Sequence, residues 1–93
     1  MKGQASVKVP EGKLVKVETH YDEEKLTNVK VRGDFFIEPP EALKEIEDAL
    51  TGLKIDSEKE ALKEAIKKVE ADLIGFSAAS VAEAVKKSIG ESK

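Results

Sequence analysis

Arg32-Gly33-Asp34-Phe35-Phe36-Ile37, followed by Glu38-Pro39-Pro40, is the stretch whose reading decides the fold. It holds two of the three phenylalanines in the chain, and it lies where a period of two gives way to helical spacing. Val29, Val31, Phe35 and Ile37 all fall on odd positions with Gly33 between them, the signature of a strand with one buried face. Phe36 is the exception, because alternation places it with Lys30 and Arg32 on the outer face. An aromatic among charges on an outer face is either covered by another element or meets a partner.

Upstream, Ser6 to Val9 reads as a short first strand and Val9-Pro10-Glu11-Gly12 as a β-turn. Lys13 to Tyr21 reads as a second strand, with Val15, Val17, Thr19 and Tyr21 alternating against Lys16, Glu18 and His20. The polar Tyr21–Lys25 segment is a tight connection, and the third strand runs from about Thr27 to Ile37. Short turns between three strands predict an antiparallel meander with one wet face.

Downstream, Pro39-Pro40 blocks further pairing and permits a helix start. Leu43, Ile46, Leu50 and Leu53 form the apolar stripe of a first helix that ends near Thr51-Gly52. Ser57-Glu58-Lys59-Glu60 has the form of a capping box. It precedes a second stripe of Ala61, Leu62, Ala65, Ile66, Val69 and Leu73 that stops near Gly75. Ser77 caps a third helix with Val81, Ala84, Val85 and Ile89 as its stripe and Gly90 as its stop. The expected fold class is α+β: a three-stranded antiparallel sheet followed by three helices packed on one face. The ends, Met1–Gln4 and Glu91–Lys93, are expected to fray.

With 93 residues the chain is expected to form a single domain over 1–93. A hydrophobic share of 40% beside 38% charged residues excludes the composition of a disordered tail. No apolar run approaches the roughly 18 residues of a membrane span, and the N-terminus has no apolar signal region. A cytoplasmic location and no membrane partner are the expectations. A net charge of −3 argues against nucleic acid as a partner. The absence of cysteine excludes disulfides, thiolate metal sites and thiol nucleophiles.

Catalytic and metal sites are expected to be absent. His20, the lone histidine, lies on a strand's polar face, and the glycines are isolated rather than gathered in a phosphate-cradling loop. Asp22, Glu23 and Glu24 lack the ligand alternation of a calcium loop and read as a solvated turn. Two features stand above this background. Lys16, Lys30, Arg32 and Phe36 are expected to gather on the outer sheet face, diluted by Glu18, in a pattern that suits an anionic or carboxylate-bearing partner surface. On the residues alone, the favoured reading is that Phe36 is covered by a helix or the N-terminal segment, or turned inward by a bulge at Gly33. The second feature is Asp34, which either bonds backbone at the strand exit or contacts a partner.

Gly12-Lys13-Leu14-Val15-Lys16-Val17, Val29 through Phe36 with its Gly33-Asp34-Phe35-Phe36 end, the helix carrying Glu41 and Ile46-Glu47, and Leu50-Thr51-Gly52 resemble the C-terminal accessory domain of lipoate–protein ligases. The resemblance covers about Gly12 to Ile89, the later helices matching in pattern. It implies a fold similar to the iron–sulfur scaffold and sulfur-acceptor proteins, although the lack of cysteine removes their chemistry. In that family a large domain binds lipoate and ATP, makes lipoyl-adenylate and passes the lipoyl group to a lysine of a carrier domain. The small domain follows it in one chain or is a separate polypeptide.

The large domain's glycine-rich segments and catalytic lysine have no counterpart here. The resemblance therefore implies a small accessory subunit, inactive alone, that forms a heterodimer with a large catalytic subunit and indirectly serves lipoyl carrier domains. ATP, magnesium and lipoate are expected in the partner and no cofactor in this chain. Lys30, Arg32, Gly33, Asp34 and Phe36 are the expected interface residues. The alternative is a non-catalytic adaptor module on the same scaffold.

Overall fold

The computed structural model describes residues 1–9, 14–33, 35–74 and 76–90. The expected turn over 10–12, Asp34, the stop at Gly75 and the C-terminal residues 91–93 lie outside them. The element order is β1 (Lys2–Lys8), β2 (Leu14–Tyr21), β3 (Leu26–Gly33), β4 (Phe36–Glu38), α1 (Ala42–Leu50), α2 (Lys59–Lys67), β5 (Asp72–Ile74) and α3 (Ala78–Gly90). The first three strands form an antiparallel sheet in the order β1-β2-β3, and β4 pairs antiparallel with β5 in a second, two-stranded sheet.

The meander follows from alternation. Val15, Val17, Thr19 and Tyr21 on β2 and Val29 and Val31 on β3 are buried, while Lys16, His20, Lys30 and Arg32 are exposed. α3 packs across β1 and β2, and α1 lies against β3. α2 rests mainly on α3 and α1, so the helices form one layer whose middle member leans on its neighbours. Ile46, Leu50, Leu62, Ile66, Val81 and Val85 supply the apolar faces of that layer. Each such side chain, fully buried, is stabilising by about 1.5–3 kcal/mol.

Four sequence expectations need correction. The third strand is broken, because β3 ends at Gly33 and β4 joins a different sheet. Leu73 belongs to β5 and not to a helical stripe, α2 having ended at Lys67. The N-terminus is tied down rather than frayed: β1 begins at Lys2, and the Met1 ammonium donates to the Tyr21 carbonyl at 2.7 Å. The capping box at Ser57 does not form. Glu58 is the N-cap of α2 without a side-chain bond, and the Ser57 carbonyl instead accepts from Lys86 Nζ at 2.6 Å. The Ser77 cap is present, since its hydroxyl accepts the Ser80 amide at 3.1 Å while Ser80 Oγ accepts the Ser77 amide at 3.0 Å.

The outer edge of β3 would otherwise present unpaired backbone groups. The Val31 amide donates to the Glu47 carboxylate of α1 at 2.8 Å, and the Leu26 amide donates to the Leu53 carbonyl at 2.8 Å. β1 sits so close to α3 that a Cβ on Gly3 would collide with the Ser88 carbonyl oxygen. Beneath this contact the hydroxyls of Thr19 and Ser88, both buried, are bonded at 2.9 Å.

The β2–β3 connection turns on Asp22, whose Oδ1 accepts the amides of Glu24 at 2.7 Å and Lys25 at 2.8 Å. These bonds, that to Lys25 first, hold the carboxyl below its ordinary value. A depressed carboxylate stabilises above its unfolded-state value, and that contribution is lost as pH falls through the lower folded value. An Asp22→Asn variant keeps an oxygen acceptor but cannot titrate. Its melting temperature is expected to fall less between neutral pH and about pH 3 than that of the parent chain. Equal acid sensitivity in thermal melts would remove Asp22 from the account.

Candidate functional site

The break at Gly33 divides the expected interface residues into two groups. Lys30 and Arg32 stay on the outer face of the three-stranded sheet, whereas Phe36 passes to the second sheet. Gly33 sits at the division, with φ +154° and the Phe35 ring 2.9 Å from where a Cβ would stand. Phe35 turns inward and stacks on Phe76, ring centroids 4.0 Å apart and 26° from coplanar. That stack anchors the crossover, and Asp34 lies outside the described residues.

Phe36 is 72% exposed, which overturns the reading that it is covered or turned inward. Its register partner across the second sheet is Ile74, which is 49% exposed. Residues directly opposite on an antiparallel pair have Cβ atoms about 4.5–5.5 Å apart, so the two side chains form one apolar patch. Two residues on, Glu38 faces Asp72, both exposed. Like charges opposite one another oppose pairing, so this short ribbon carries features that do not stabilise the isolated chain. Ile74 was not anticipated from the sequence. Its signal was faint, a short apolar pair after Asp72 whose spacing also continued a helical stripe.

The other group lines a shallow concavity on the sheet's outer face, formed by Gln4, Ser6, Lys16, Glu18, Lys30 and Arg32. Lys16 is the register partner of Arg32, and Glu18 that of Lys30. Phe36 is not among the lining residues. Alternation along β1 adds Lys2 and Lys8 to the same face. The Glu18 carboxylate is already engaged by Lys2 Nζ at 3.4 Å and Gln4 Nε2 at 3.1 Å. The Lys2 contact, then Gln4, holds Glu18 below its ordinary value. Among the described residues Lys16, Lys30 and Arg32 have no ion-pair partner.

The arrangement is suited to binding. His20 is exposed on β2, and among the described residues no group of carboxylates and histidine could hold a metal ion. No helix among them is long and apolar enough to cross a membrane.

Residues 4–86 match the family described as bacterial lipoate protein ligase C-terminus. No curated protein matches the chain. A solved chain is similar to it with 20% identity and a TM-score of 0.77, covering 91% of this chain and 94% of that one. It comes from a structural analysis of an archaeal lipoylation system, a bi-partite lipoate protein ligase and its E2 lipoyl domain from Thermoplasma acidophilum. At that identity the likeness establishes the α+β fold.

Proposed function

The chain belongs to the bacterial lipoate protein ligase C-terminal family, and from that premise we propose that it is the small, non-catalytic component of a bi-partite ligase. Coverage carries this reading. The family match takes in residues 4–86, and the archaeal chain that overlays this one does so over 94% of its own length. That this unit overlays nearly all of a solved chain from a system described as bi-partite supports the reading.

In this reading a separate large component binds ATP, magnesium and lipoate. The lipoate carboxylate attacks the α-phosphorus of ATP, forming lipoyl-AMP and releasing pyrophosphate. A carrier lysine amine then attacks the activated carbonyl, forming the amide and releasing AMP. This chain supplies no reacting group; it has no cysteine, and its lone histidine is exposed. Its part is to dock, order the large component's loops and keep water from the adenylate. The Phe36–Ile74 patch, rimmed by Glu38 and Asp72, is the surface offered to the large component. Burying the two apolar side chains there recovers stabilisation of about 1.5–3 kcal/mol for each one fully covered.

The test mixes the chain with the large component from the same organism, ATP, magnesium and lipoate, and measures lipoyl-AMP. Product is expected only when both polypeptides are present. Equal product without this chain, from a folded large component, would leave the shared fold without the shared role. The same scaffold would then be read as a protein adaptor.

A further inference from the structure

The basic outer face of the three-stranded sheet is left unused by the docking surface assigned above, and its charge is opposite to that of the ribbon. Lys2, Lys8, Lys16, Lys30 and Arg32 share it with a single carboxylate, in a chain whose net charge is −3. Charge is therefore segregated: cations gather on one sheet face, while Glu38 and Asp72 mark the other surface. Glu18 offsets one of the five charges through its pairing with Lys2, and Gln4 also engages it. Lys16 and Arg32 stand side by side as register partners, both exposed and without an ion pair among the described residues.

We propose that this face receives the carrier domain, through a carboxylate-rich surface of that domain; the inference rests on the ligase reading above. The two surfaces differ in the way that two kinds of partner differ. An apolar patch suits a subunit that stays bound. A lysine- and arginine-rich face with little apolar area suits a substrate protein that must arrive quickly and leave after each transfer, since charge complementarity acts mainly on encounter rate and specificity. Nucleic acid is the poorer fit. Among the described residues no Phe, Tyr or Trp lies on this face to stack a base.

The experiment uses the reconstituted two-component ligase with its apo carrier domain. Two steps are followed separately: lipoyl-AMP formation without carrier, and transfer to carrier over a range of carrier concentrations. For the parent chain, kcat/KM for carrier is expected to fall steeply between about 50 and about 300 mM salt. A Lys16→Glu/Arg32→Glu chain is expected to raise KM for carrier about tenfold with kcat largely retained and the salt dependence flattened. Lipoyl-AMP yield serves as the control for assembly.

An unchanged KM would overturn the proposal. A parallel fall in lipoyl-AMP yield would also overturn it, by placing the face against the large component. So would micromolar binding of a single-stranded oligonucleotide that the double substitution abolishes. If the parent chain proves unnecessary for lipoyl-AMP formation, the ligase reading itself fails, a result distinct from all three.

Discussion

Gly33→Ala is expected to destabilise the domain by about 2–5 kcal/mol, a large share of the roughly 5–15 kcal/mol that holds a domain of this size together. Two independent costs meet at this residue. Its φ of +154° lies in a region that side-chain-bearing residues occupy only under strain. A Cβ there would also drive into the Leu14 carbonyl oxygen and meet the Phe35 ring at 2.9 Å. The first obstacle is backbone at the start of β2, so no rotamer change relieves it. Relief requires the end of β3 to lift from β2 or the Phe35–Phe76 stack to open, and either movement shifts β4. The measurement is urea denaturation of the variant beside Lys30→Ala, an exposed change on the same strand expected to stay within about 0.5 kcal/mol. A Gly33→Ala midpoint matching that control would mean that the strand break does not depend on glycine.

The same residue explains where the sequence misleads. The alternation that marks β2 and β3 as half-buried strands does not stop at the break. Val29 and Val31 are buried on β3, Phe35 is half-buried and Ile37 is buried on β4. Hydropathy thus predicts one long strand although the backbone changes sheets, because the change is made by a dihedral angle rather than by a change of period. Gly33 is the sole local sign of it.

β5 was hidden differently. Leu73 lies four residues after Val69 and continues a helical stripe, and a three-residue strand is too short for its own period to compete. β1 begins earlier than expected because Gly3 through Ser6 carry little apolar signal. Those residues are strand because β2 and α3 position them, which is tertiary information. At the site, Phe36 announced itself as the exception to alternation. Its partner Ile74 depended on a pairing between distant segments that composition cannot show. The basic cluster was legible from β2 and β3 and was enlarged by Lys2, once β1 began there.

Phe36→Ala combined with Ile74→Ala is expected to weaken association with the large component about 100-fold while leaving this chain folded. Phe36, 72% exposed, has little apolar area to lose from the isolated domain, and Ile74, 49% exposed, has about half of its own. The stability cost is their cross-strand contact, about 0.2–1 kcal/mol, plus the half-covered area of Ile74, together below the roughly 2–5 kcal/mol of a fully buried Ile→Ala change. In a complex the same pair would be desolvated together, and truncating a significant interface side chain costs more than about 1 kcal/mol. A loss of about 2.8 kcal/mol corresponds to the 100-fold change. Ile37→Ala supplies the contrast. It lies between Phe36 and Glu38 on the same strand but is buried, so its truncation is expected to cost about 2–5 kcal/mol of stability. Any binding loss in that variant should follow the fraction unfolded. Titration calorimetry against the large component, with melting curves of each free variant, separates the cases. Parent-like affinity in the Phe36/Ile74 variant would move the interface elsewhere on the domain. A collapse in melting temperature matched by the binding loss would make the ribbon part of the core, and the exposed pair would then have to be stabilising the second sheet far beyond a cross-strand contact.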